Sequence, residues 1–130
     1  MMVKRWEEFQ VGPRDVLGEM HVTLNRKGEI MIGAAAFERF GRPEQAVLLY
    51  EPDNKFIGIL PASTRAKNAY PLMGKKGRDR HRTIRANRFC RHHGINVPAT
   101  MAFYNAEIDE EGVLVLPLRN MRVVGKKVEK

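Results

Sequence analysis

Val22-Thr23-Leu24-Asn25-Arg26-Lys27-Gly28-Glu29-Ile30-Met31-Ile32-Gly33 is the stretch on which the fold turns. Just upstream and into it, Met20, Val22 and Leu24 alternate with Glu19, His21 and Thr23. A period of two is the mark of a strand with one buried face. Asn25-Arg26-Lys27-Gly28 reads as a turn, with Gly28 free to take a positive φ, and Ile30 and Ile32 continue as a returning strand. The stretch therefore predicts a β-hairpin.

Outward from the hairpin, Gly33 opens a short helix, Ala34-Ala35-Ala36-Phe37-Glu38-Arg39-Phe40, stopped by Gly41 with Pro43 just beyond. Val47 to Tyr50 is a strand, Glu51-Pro52-Asp53-Asn54 a turn, and Phe56 to Leu60 the returning strand closed by Pro61. The same order is readable downstream. Ala69 to Met73 is a first strand, Gly74 to Asp79 a long basic turn and His81 to Ile84 a second strand. Ala86 to His93 is a short helix ended by Gly94, with Phe89 toward the core. Thr100 to Ile108 is a strand, Asp109 to Gly112 a turn, and Val113 to Leu116 a last strand closed by Pro117. Ile32 matches Ile84 and Phe37 matches Phe89 at a separation of 52, Gly41 matches Gly94 at 53, Tyr50 matches Tyr104 at 54, and Leu60 matches Leu116 at 56. The drift is that of small insertions in loops. One domain over 1–130 is expected, with repeat unit one at 19–62 and repeat unit two at 69–118. A second register competes, in which Leu24 to Gly28 matches Ile108 to Gly112 at 84. Ahead of unit one, Trp6, Phe9, Val11 and Gly12-Pro13 suggest a short element and a turn.

Charge is unevenly distributed. The chain carries a formal net charge of +8 from 23 basic and 15 acidic residues. Between Pro61 and Pro98 stand ten basic side chains, seven of them arginine, opposed only by Asp79. The remainder of the chain is close to neutral, so the basic segment 65–91 holds all of the excess. Clustered like charges repel at a cost that an anionic partner relieves, and arginine forks suit phosphates and base edges. A nucleic-acid footprint is the reading favoured over a solvated basic face.

Two units of this kind resemble the SpoVT/AbrB-type swapped-hairpin DNA-binding domain. The resemblance rests on Val22 to Gly33, Phe37-Glu38-Arg39-Phe40-Gly41, Val47 to Tyr50 and Asn54 to Ile59. It extends to residues 69–117 by internal repetition, and the tandem arrangement is similar to the MraZ branch of that family. It implies an α+β, β-rich fold, in which two tandem hairpin–short helix–hairpin units form an AbrB-like swapped-hairpin barrel within one chain. It also implies DNA binding by basic side chains on the paired hairpins. Arg26 and Lys27 stand on the first hairpin turn, and Lys75, Lys76, Arg78, Arg80 and Arg82 on or beside the second. These seven are the candidate nucleic-acid contacts of a transcriptional regulator acting on duplex DNA. A chain with both units would already supply the pair that single-unit relatives form as dimers, leaving a monomer or a homo-oligomer built on separate surfaces. The alternative is a non-enzymatic interaction module, RNA-associated or antitoxin-like, with an acidic partner.

Other chemistries find little support. His81, Cys90, His92 and His93 lack the spacing of a structural zinc site, and histidines at a helix end complement its dipole. Cys90 has no orienting group of a nucleophile beside it, and Asp109-Glu110-Glu111 reads as an acidic turn. No phosphate-loop or metallohydrolase motif is present, so no catalytic residue, metal or cofactor is expected. Phe103 and Tyr104 are read as a strand pair with one ring inward. A single cysteine suits a reducing cytoplasm, the first residues do not read as a secretory signal, and no apolar run approaches the roughly 18 residues of a membrane span.

Overall fold

The hairpin that opens the fold is held by one side chain. Asn25 Oδ1 accepts from the backbone N–H groups of Lys27 (2.9 Å) and Glu29 (3.0 Å). The N–H of Gly28 donates to the Asn25 carbonyl at 3.0 Å, with Gly28 at φ 83°. A side-chain oxygen that mimics a backbone turn is what favours Asn here. A computed structural model describes residues 20–63, 66–74 and 81–124 of the chain. The element expected near Trp6, and all but Gly74 of the turn expected over Gly74 to Asp79, lie outside those residues.

The described chain forms two antiparallel five-stranded sheets and two short helices, a β-rich α+β fold. The first half runs β1 (Val22–Leu24), β2 (Glu29–Ile32), α1 (Ala34–Arg39), β3 (Gln45–Glu51) and β4 (Phe56–Pro61). The second runs β5 (Ala69–Pro71), β6 (Arg82–Arg85), α2 (Asn87–His92), β7 (Met101–Phe103), β8 (Glu107–Ile108) and β9 (Leu114–Pro117), followed by β10 (Met121–Val123). Sheet one has the order β10-β7-β1-β2-β6, and sheet two β5-β3-β4-β9-β8. No helix among the described residues is long and apolar enough to cross a membrane.

Two of the four strand pairings in each sheet run between the halves. β2 pairs with β6, setting Ile30 opposite Ile84 and Ile32 opposite Arg82. β4 pairs with β9, setting Ile57 opposite Leu116 and Ile59 opposite Leu114. The first strand of each half pairs with the third strand of the other: β1 with β7 and β5 with β3. Beyond β5, Met73 bridges to Thr83 on β6. Val22, Leu24, Ile30, Ile32, Ile57, Ile59, Ile84, Leu114 and Leu116 are fully buried and form the core. Each contributes about 1.5–3 kcal/mol of apolar burial.

The hairpin expected to open the second half is reduced to a single bridge, Met73 to Thr83, among the described residues: β5 pairs with β3 in sheet two and β6 with β2 in sheet one, because each strand finds its partner in the first half. Three further details depart from the sequence expectation. The segment Thr100 to Ile108 is not one strand: β7 belongs to sheet one and β8 to sheet two, so the chain crosses between sheets. At the crossing Phe103 and Ala106 are both buried while Tyr104 is 55% exposed, which breaks the alternation of a continuous strand. Second, the helices correspond at 53, not 52. Cap bonds have identical spacing in both, Arg42 N–H to the Phe37 carbonyl and Ile95 N–H to the Cys90 carbonyl. Phe37 therefore stands where Cys90 does, and Ala36 where Phe89 does, because Arg85-Ala86 occupy the place of the single Gly33. The buried pair Ala36-Phe37 is answered by Phe89-Cys90, the large side chain moved by one position. Third, the residues after Pro117 supply β10, which covers the edge of β7.

The competing register at 84 has a physical explanation. Asp109 Oδ1 accepts from Glu111 N–H (2.9 Å) and Val113 N–H (3.0 Å), and Gly112 has φ 83°. This is the Asn25 turn again, but it joins β8 to β9 in sheet two while the first joins β1 to β2 in sheet one. The likeness is one of turn chemistry.

The two glycines give a matched test. A Cβ at Gly28 would lie 2.7 Å from the Asn87 Cα, whereas one at Gly112 meets nothing within 4 Å at the same φ. Gly112→Ala should cost about 1 kcal/mol for the left-handed backbone alone. Gly28→Ala should cost at least about twice that in urea unfolding. Equal losses would mean that the turn–helix contact is not tight.

His21 gives a second test. Its Nδ1 is buried with no hydrogen-bond partner among the described residues, and burial first, then the Arg122 charge, hold its pKa below the ordinary 6.5. As pH falls the unfolded chain takes up this proton first, so stability is complete above about 6.5 and declines toward the depressed folded value. Glu51, held below its ordinary 4.5 chiefly by the Asn54 N–H, is felt only in more acid solution. The urea midpoint should therefore fall between pH 7 and pH 5, and His21→Asn should lessen that fall, leaving the part due to His93, whose pKa is also lowered.

Candidate nucleic-acid interface

Arg26 and Lys27 occupy the two central positions of the first turn, and both are exposed. Their backbone is fixed from three directions. Asn25 bonds the turn from within, its Nδ2 also donating to Glu29 Oε1 at 2.9 Å. The Gly28 carbonyl accepts the Ala86 N–H at 2.9 Å, tying the turn to the residue that opens α2. Gly28 itself packs against Asn87. Among the described residues neither Arg26 nor Lys27 makes an ion pair, so two cations are presented at a rigid tip with their charges uncompensated.

Between this turn and α2 lies a cleft of about 160 Å³. Arg26 and Lys27 line one wall, and Asn87, Arg91 and Asn96 line the other, with Leu24, Cys90, Ile95 and Val97 completing it. Asn87 and Arg91 are one helical turn apart, so they share a face of α2, and both are exposed. Asn96 follows the Gly94 stop, where φ is 67°. Arg91 counts toward the basic excess in the sequence, but nothing in the spacing of unit two places it beside the turn of unit one. Only the crossed pairing of the halves does so.

Arg82 has a different setting. It lies on the same face of sheet one as Ile32, its register partner, and its guanidinium carbon sits 4.6 Å from the centre of the Phe37 ring. One of its terminal nitrogens donates to the His81 carbonyl at 3.1 Å, and the backbone at Gly74 presses against the stem. Arg82 is thus half-buried and engaged with α1. Lys75, Lys76, Arg78 and Arg80 lie outside the described residues, so of the seven sequence candidates three are described, and Arg26 and Lys27 stand together at the exposed tip.

The remaining reactive side chains sort by burial. Cys90 is buried, and burial raises its pKa above the ordinary 9.0, which keeps the thiol protonated at neutral pH. His93 stacks on Tyr50 with ring centres 4.3 Å apart and meets Phe89 edge-on at 4.8 Å. Partial burial, then the charge of neighbouring His92, lowers its pKa. His92 and His93 thus belong to an aromatic cluster at the end of α2. Among the described residues no three His, Cys, Asp or Glu side chains are arranged to hold a metal ion. Phe103 is inward and Tyr104 outward.

Comparison with known protein families, curated proteins and solved structures finds no match to this chain.

The contrast between Arg82 and Arg26 is open to measurement. Arg82→Ala removes a cation–π contact and an apolar stem from the surface of Phe37, and should lower stability by about 1 kcal/mol. Arg26→Ala, at an exposed turn position, should change it by less than about 0.5 kcal/mol. Similar losses at both positions in urea unfolding would mean that Arg82 is not part of the packing of α1.

Proposed function

We propose that this protein binds duplex DNA through the basic ends of its hairpins and acts as a regulator of transcription. The observation that carries the reading is the tip formed by Arg26 and Lys27: exposed, without an ion pair among the described residues, and fixed to the opposite half of the chain. Phosphate contacts of this kind position a protein on a duplex, and a rigid turn gives up little freedom in making them. The basic segment 65–91 adds the bulk of the positive field, and Lys75, Lys76, Arg78 and Arg80 are its proposed contacts.

The strand pairing supports a tandem SpoVT/AbrB-type domain. Like strands of the two halves meet at β2–β6 and β4–β9, and the first and third strands pair crosswise. Two hairpin units folded into one swapped barrel require such an exchange. In that arrangement the turn after β1 corresponds to the segment before β6, and both are basic in sequence. The cytoplasm is the compartment this function needs.

Titration of duplex DNA at several salt concentrations tests the proposal. The log–log slope should be steep, near −0.9 for each phosphate contact. Replacing Lys75, Lys76 and Arg78 together with Glu should leave the unfolding transition nearly unchanged, abolish binding and flatten the slope. Unchanged binding by the folded triple variant would remove the second turn from the site. Absence of salt-sensitive binding by the parent would end the DNA reading, and equal affinity for RNA would favour an RNA-associated module.

A further inference from the structure

The two helices do the same structural work with different outward-facing residues, and the difference falls on the cleft. At the separation of 53, Asn87 corresponds to Ala34, Arg91 to Glu38 and Asn96 to Pro43. Each helix has six residues, buries two side chains and ends at a glycine with positive φ. The fold therefore accepts an alanine, an acid and a proline at these three places. On α1 the acid is already neutralised, Glu38 Oε1 lying 2.7 Å from an Arg42 nitrogen. On α2 the same places hold two amides and a cation, with no acid among the residues that line the cleft.

We infer that the cleft between the Asn25–Gly28 turn and α2 is a seat for a phosphoryl group, held by Arg26, Lys27 and Arg91 with the side-chain amides of Asn87 and Asn96 as further donors. Resting on the DNA-binding reading, the inference assigns that group to a backbone phosphodiester. Three cationic residues line one small opening, and an anion bound there relieves their mutual repulsion. The guanidinium of Arg91 offers two parallel donors to non-bridging oxygens. Asn side chains donate through NH₂ without adding charge and orient the oxygens. The bond from Ala86 N–H to the Gly28 carbonyl fixes the two walls before anything binds. The contact is thus made jointly by the first half's turn and the second half's helix, and it uses none of residues 75–80.

Two measurements test this. The first compares the salt dependence of duplex binding for the parent, Arg91→Gln and Arg42→Gln, the last removing an equal charge from the corresponding end of α1. Arg91→Gln should lower the slope by about one unit and the affinity about tenfold near 0.1 M salt, with Arg42→Gln close to the parent. The second titrates the parent with inorganic phosphate and follows the side-chain amide resonances of Asn87 and Asn96, which should shift together and cease to shift in Arg91→Gln. If the parent binds DNA and Arg91→Gln retains the full slope, the seat is overturned and the DNA reading stands. If the parent binds no nucleic acid but phosphate shifts both amides, the seat stands and its ligand is a free phosphorylated molecule. If neither DNA nor phosphate has an effect, both readings fall. Unchanged unfolding transitions in the two exposed-site variants exclude loss of fold as the cause.

Discussion

Everything else in this structure depends on the two seams where the halves of the chain meet, β2 against β6 and β4 against β9. The largest fully buried side chains cluster there: Ile30, Ile32 and Ile84 at the first seam, Ile57, Ile59, Leu114 and Leu116 at the second. Neither half has an inner face that its own strands could cover. A hairpin of β1 and β2 alone would be marginal in water, since two strands do not exclude solvent from a shared apolar face. Folding of one half therefore requires the other, and the cross-pairing of β1 with β7 and β5 with β3 ties them further.

That constraint decides where the surface groups fall. With β2 against β6, the turn that precedes β2 is brought to the start of the helix that follows β6. The Gly28 carbonyl meets the Ala86 N–H, and Gly28 packs so closely on Asn87 that a side chain there has no room. Likewise Arg82, at the far end of the same seam, is brought over Phe37 of α1. Basic residues that are alike in the sequence thus acquire different roles. Arg26 and Lys27 end in solvent at a braced tip, and Arg82 shields an aromatic ring of the core.

The legible part of the sequence was the part governed by short-range rules. Alternation at Met20 to Leu24, Asn25 and Gly28 at the turn, and Gly41 and Gly94 as helix stops each act over a few residues, and each gave the right element. Errors came where a long-range partner decides. Tyr104 to Ala106 leave the strand because the chain changes sheets there, which no local alternation records. The residues from Met121 to Val123 become a strand because β7 has an open edge. The helices slid by one position because a buried pair keeps its total volume whichever member is large, so Phe37 and Phe89 matched by type without matching by place. The turn at Asp109 showed the converse: an acidic side chain with Gly three residues later reproduces the Asn25 turn in the second sheet, without any shared ancestry of position.

The same logic locates the informative residues of the candidate site. Two helices of equal length, each burying two side chains and stopped by a glycine with positive φ, serve as controls for one another. Where the two copies agree in character, as in Ile32 and Ile84 or Gly41 and Gly94, packing or backbone conformation accounts for the residue. Where they disagree on an exposed face, the fold makes no demand. Glu38 beside Arg42 on one helix, and Arg91 between Asn87 and Asn96 on the other, are such a disagreement. Exposed charge adds little to stability, so stability does not explain three cationic residues lining one cleft. The proposed anion seat rests on that asymmetry, without reference to residues 75–80.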